Sequence, residues 1–134
     1  MNVFLSYSQA DKEWADSLRA GLAKAGLRVA SSLEDIDPGM NWHMEAGKAL
    51  EEAEAMVILL SPDSVESPYV RAEIEYALSS PRFRDRLISV LIEDTDDVPW
   101  ILRRQQFIRA TKDVPATIRR IAAALLKSPA TAHR

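Results

Sequence analysis

Ala55-Met-Val-Ile-Leu-Leu60, followed at once by Ser61-Pro62, is the stretch on which the fold turns. Six apolar residues without alternation suit a strand covered on both faces, and the run is too short for a buried helix. Such a strand belongs in the middle of a parallel sheet. Downstream, Ser67 is a natural cap and Pro68 a natural first residue for a helix, since the proline ring already holds the φ of a first turn. Pro81 stops that helix.

Outward from this centre, strand-like and helix-like segments alternate. Before it come a strand from Val3 to Tyr7, a helix from Asp11 to Ala25 ending at Gly26, a strand from Leu27 to Ala30 and a helix from Trp42 to Ala53. Trp14, Leu18, Leu22 and Ala25 recur at helical spacing in the first helix, and Gly26 is placed to end it with a left-handed residue. After Pro81 come a strong strand, Leu87 to Ile92, an acidic loop, Glu93 to Asp97, and a weak strand, Gln106 to Arg109. A last helix carries Ile118, Ile121, Ala122 and Leu125 on one stripe. This alternation predicts an α/β fold: a flavodoxin-like, doubly wound, five-stranded parallel sheet with helices on both faces.

A chain of 134 residues, 47% hydrophobic, has enough material for one core and too little for two. Residues 1–127 are expected to form the domain and 128–134 a flexible tail. With no cysteine, disulfides and thiolate chemistry are excluded, and a reducing cytoplasm is the expected setting. A net charge of −3 offers nucleic acid no general attraction; Arg82, Arg84 and Arg86 read as solvated loop charge. No apolar run approaches a bilayer span, so no membrane partner is expected. His43 and His133 lack neighbours at metal-binding spacing, so no metal is expected. Gly21, Gly26, Gly39 and Gly47 form neither a phosphate-binding loop nor a dinucleotide fingerprint.

In a sheet of this winding, ligands sit outside the carboxyl ends of the strands where the winding reverses, between the first and third strands. That edge receives Ser6-Tyr7-Ser8-Gln9 from the first strand, Ser61 from the third, and the long connection Ser31–Asn41. On the helix beginning at Pro68, Val70, Ile74, Ala77 and Leu78 form the stripe that meets the sheet, while Tyr69 and Glu73 form the adjacent row. An acid bordering a core has either a partner or a task.

Val3-Phe-Leu-Ser-Tyr-Ser-Gln-Ala-Asp11 is similar to the first box of the TIR (Toll/interleukin-1 receptor) domain family. Leu33-Glu-Asp-Ile-Asp-Pro-Gly39 is similar to its second box, the BB loop, and Ser67-Pro-Tyr-Val-Arg-Ala-Glu73 resembles its Ser-x-Trp-Cys-x-x-Glu segment. The match spans nearly the whole chain and is to the bacterial type. The resemblance implies either of two functions, since some members cleave NAD+ and others are adaptors that pair with other TIR domains. Under the first, Glu73 is catalytic, Phe4, Ser6, Tyr7, Ser8, Trp42 and Tyr69 bind substrate, and Asp35, Asp37, Pro38 and Gly39 belong to the BB loop. NAD+ is then substrate, with no cofactor required, and products are nicotinamide with ADP-ribose or a cyclic isomer. The resemblance also implies partners of the same kind in a homo-oligomer or filament, and a role in anti-phage defence or signalling.

The residues have plainer readings as well. The plain reading of Glu73 is a helix-surface acid paired with Arg71 or Arg104, with Glu75 as its exposed counterpart. The plain reading of Phe4, Tyr7 and Trp14 is core, and Trp42 is open between core and substrate cover. Tyr69 stands where the family has tryptophan, which keeps an aromatic face but reduces its area.

Overall fold

The computed structural model describes residues 1–31 and 42–127, with only the backbone course described at Ser31 and at 42–46. Five parallel strands, β1 (Asn2–Ser6), β2 (Arg28–Ser31), β3 (Ala55–Leu60), β4 (Leu87–Leu91) and β5 (Gln106–Arg109), lie in the order β2-β1-β3-β4-β5. The expected doubly wound sheet is therefore present, and all six residues of β3 are buried. The winding reverses between β1 and β3, in register Ser6 opposite Ile58.

Two cores follow from the alternation of side chains along the strands. Val3, Leu5, Val57, Leu59, Ile88 and Val90 meet α1 (Lys12–Lys24) and α6 (Val114–Leu126) on one face. Phe4, Met56, Ile58, Leu60, Leu87 and Leu91 meet α2 (Trp42–Glu52), α3 (Pro62–Glu66), α4 (Pro68–Ser79) and α5 (Trp100–Arg103) on the other. Gly26 ends α1 with φ of 87°: its N–H donates to the Ala23 carbonyl and that of Leu27 to the Leu22 carbonyl, both at 3.0 Å, a Schellman cap that turns the chain into β2.

Three local readings change. α3 and α5 were not anticipated, being too short to show a period. Arg82 is exposed, as a solvated charge should be, yet it also has fixed partners: it donates to the carbonyls of Leu50 and Glu51, closing the C-terminus of α2, and lies over the Phe83 ring at 4.9 Å. Leu78, expected in the buried stripe, is 39% exposed. At 100° per residue the buried arc of α4 centres near Val70 and Ala77, with Glu73 and Ile74 each about 50° to one side and Tyr69 and Leu78 each about 90° away. The helical wheel thus puts Leu78 at the water's edge and Glu73 as deep as Ile74.

Candidate active site

Ser67 shapes the approach to the site. Its hydroxyl accepts from the Val70 N–H at 3.3 Å, capping α4, while the same residue ends α3. Pro68 at the first turn completes the predicted start. From this corner α4 runs across the second face and buries Val70, Glu73, Ile74 and Ala77.

Glu73 is 1% exposed. Its Oε1 accepts a hydrogen bond from Ser6 Oγ at 2.6 Å, so a carboxylate from the segment after β3 is held by a hydroxyl at the end of β1. Removing an ionised carboxylate from water costs several kcal/mol, and a hydrogen bond to a charged group returns about 1.5–3 kcal/mol. The plainer reading of Glu73 as a helix-surface acid is excluded by its burial, and the Arg71 guanidinium is turned elsewhere, donating from Nε to the Val65 carbonyl at 2.8 Å. Glu75, two residues on, is exposed as expected.

A second hydroxyl–carboxylate bond lies at the same edge and was not foreseen. Ser61 Oγ donates to Asp11 Oδ2 at 2.5 Å in a buried setting, and also accepts from the Ser64 N–H at 3.1 Å to cap α3. A Ser-x-x-Ser spacing after an apolar strand signals the cap; its bond to a residue 50 positions away has no sequence signal.

Of the candidate site residues, Ser6 and Glu73 meet directly. Phe4 is fully buried in the same core as Val70 and Ile74, so its ring is packing beneath the site. Tyr7 is fully buried with the α1 and α6 core, on the sheet face opposite Glu73. Ser8 is buried and accepts from the Ala10 N–H at 3.3 Å, capping the 3₁₀ turn Gln9–Asp11. Tyr69 is 43% exposed at the start of α4. Asp35, Asp37, Pro38 and Gly39 lie outside the described residues, as do the side chains of Trp42 and His43, and the whole of 128–134 with His133.

Among the described residues no cluster of His, Asp or Glu is arranged to hold a metal ion, and no helix is long and apolar enough to cross a membrane. What the arrangement offers chemically is two buried carboxylates, each oriented by a serine hydroxyl, where the sheet's winding reverses, with Glu73 the deeper of the two. Such a group suits stabilising positive charge or accepting hydrogen bonds from a polyol.

Comparison with solved structures agrees with this architecture. The TIR domain of the Toll-related receptor TRR-2 from Hydra magnipapillata superposes with a TM-score of 0.70 at 23% identity, over 88% of this chain and 91% of that one. A metazoan TIR-STING receptor from C. gigas gives a TM-score of 0.76 at 25% identity, over 93% of this chain and 39% of that much longer one. The RPS4 and RRS1 TIR domain heterodimer gives 0.67 at 17% identity, over 92% of this chain and 94% of that one. No curated protein matches the chain by sequence. The family model described as "TIR domain" matches residues 3–124, and with that span, this sheet order and these boxes the chain belongs to the TIR domain family.

Proposed function

We propose that this TIR domain is an NAD+ nucleosidase in which Glu73 is the catalytic carboxylate. The observation that carries the reading is the burial of Glu73, 1% exposed and bonded to Ser6 Oγ at 2.6 Å, at the carboxyl edge where β1 and β3 part. Cleavage of the bond between the ribose C1′ and the nicotinamide nitrogen sends the bonding pair to the ring, which leaves neutral. The sugar is left as an oxocarbenium-like cation. A carboxylate beside it stabilises that charge most strongly where water is excluded, and accepts hydrogen bonds from the ribose hydroxyls. Water then adds to C1′ and loses a proton to solvent, giving ADP-ribose; attack by an atom of the same molecule gives a cyclic isomer.

Ser6 has a defined part in this scheme. Its hydroxyl fixes the carboxylate before substrate arrives, and exchange of that donor for a ribose hydroxyl keeps the count of hydrogen bonds on Oε1 constant. Because the carboxylate is 1% exposed, turnover includes a step in which the groups covering it part. Tyr69, 43% exposed one helical turn before Glu73, supplies an aromatic face at the rim of that opening.

A second reading, a non-catalytic module that docks other TIR domains, is favoured by the 70% exposure of Trp100, a large apolar ring left in water. Concentrated protein incubated with NAD+, with and without a crowding agent, decides between the two. The nucleosidase reading expects nicotinamide release by the wild type and none above background by Glu73→Gln. Equal release by both proteins overturns the assignment of Glu73 as the catalytic group, and no release by either leaves the docking module.

A further inference from the structure

The two buried hydroxyl–carboxylate bonds are reciprocal. The β1 segment gives the hydroxyl of Ser6 to Glu73 of the β3 segment, and the β3 segment gives the hydroxyl of Ser61 to Asp11 of the β1 segment. They cross the seam between β1 and β3, where the segments leaving the two strands wind away in opposite directions.

We propose that Asp11 and Ser61 form a clasp that positions Glu73, which makes them positioning residues for the reaction; the proposal rests on the reading of Glu73 as the catalytic carboxylate. The mechanical path is short and continuous. Asp11 holds Ser61; Ser61 caps α3 through Ser64. α3 ends at Ser67, which is also the cap of α4, and Arg71 of α4 reaches back from Nε to the Val65 carbonyl of α3 at 2.8 Å. α3 and α4 therefore move as one corner piece, and Glu73 sits two turns along it. Six residues from Ser67 to Glu73 make a lever of about 9 Å, so a small rotation of the corner displaces the carboxylate by a comparable fraction of its length.

The burial of the parts supports a built device over incidental surface bonding. Ser61, Ser64 and Ser6 are fully buried, Asp11 is 8% exposed and Ser67 8% exposed. A buried aspartate at the same sheet edge as a buried glutamate is costly to retain for cohesion alone, since an apolar pair of similar volume serves that end as well or better. Its use is geometric: a hydroxyl–carboxylate bond fixes distance and direction where apolar contact permits sliding.

Asp11→Ala tests the clasp, because it removes the acceptor while leaving Ser61 able to cap α3. In fully folded protein, kcat for nicotinamide release is expected to fall about 10- to 100-fold with KM for NAD+ within about twofold, the signature of a misplaced reacting group. Asp11→Asn keeps an oxygen for Ser61 Oγ and is expected to restore kcat to within about threefold of wild type. A crystal structure of Asp11→Ala is expected to show Ser6 and Glu73 separated beyond hydrogen-bond reach, a readout independent of turnover. Should Asp11→Ala not fold, Ser61→Ala provides both readouts. Undiminished kcat in a variant lacking the clasp, alongside an inactive Glu73→Gln, overturns the positioning role while leaving Glu73 catalytic. Equal release by wild type and Glu73→Gln overturns the catalytic reading instead, and the Ser6–Glu73 separation then decides whether the clasp exists at all.

Discussion

The two faces of the sheet are built from the same strands and differ in kind. On the first, α1 and α6, of 13 residues each, lie over a continuous apolar layer. On the second the cover is broken into shorter pieces, and Ser6, Ser61, Ser64, Ser67 and Glu73 are buried along the edge it shares with β1 and β3. Apolar contact between long helices and strands tolerates small slips, so it suits cohesion. Buried polar bonds penalise slips steeply, so they suit holding one group in one place. The first face stabilises the domain and the second positions a carboxylate.

The largest expected effect sharpens this contrast at its centre. Glu73→Gln keeps the volume and an acceptor for Ser6, and is expected to reduce nicotinamide release about 1000-fold, as loss of a charge-stabilising group does, with unfolding free energy within about 1 kcal/mol of wild type. Glu75→Gln, exposed on the same helix, is expected to change neither, by the same assay and by urea titration. Leu22→Ala on the first face should do the reverse. Leu22 is fully buried between α1 and the sheet, so its truncation is expected to cost about 2–5 kcal/mol in urea unfolding while kcat per folded molecule holds. If Leu22→Ala lowers turnover beyond its loss of folded protein, the division between faces is wrong.

A subtler probe lies where the two long helices touch. A Cβ built on Gly21 of α1 falls 2.4 Å from Ile118 Cγ2 of α6. Ile118 is β-branched, so its χ1 is stiff within a helix and the methyl cannot swing aside. Gly21→Ala is therefore expected to destabilise by about 1–2 kcal/mol, the clash outweighing alanine's better helix propensity. Gly21→Ala combined with Ile118→Ala should cost less than the sum of the two changes, since the second removes the obstruction; thermal melts of the four proteins in the cycle measure it.

How far these features were legible depends on how local their causes are. The buried character of β3 was readable because six apolar residues without alternation leave no solvent face, and the Ser67–Pro68 helix start because cap and ring chemistry act within four residues. Glu73 stood out by its row beside the stripe, and the same wheel arithmetic, carried through, puts Leu78 outside it. The partners were not legible: Ser6 and Glu73 are 67 residues apart, and Ser61 and Asp11 are 50 apart. Such pairings are set by strand order, which the sequence implies only through a fold. Tyr7 adjoins Ser6 in sequence, yet one residue along the chain is the opposite face, and it packs under α1 and α6. The partners of Arg82 were not legible either, because its acceptors are backbone carbonyls, which no side-chain pattern announces.

The smallest effect tests where the polar side of the second face ends. Ser89 lies between Leu87 and Leu91, which belong to that face, and its register partner Ile58 separates it from Ser6. Strand spacing puts the two serines about 10 Å apart, beyond any shared hydrogen bond. Ser89 is fully buried, and among the described residues its Oγ has no hydrogen-bond partner. A buried hydroxyl in that condition costs about 1–3 kcal/mol of desolvation, whereas a methyl in its place costs nothing of the kind. Ser89→Ala is thus expected to raise unfolding free energy by about 1 kcal/mol in urea titration and to leave nicotinamide release as it was. A gain in stability accompanied by lost turnover would carry the site across β3 to β4, since a polar group retained at a cost in cohesion and needed for the reaction belongs to the positioning machinery and not to the core.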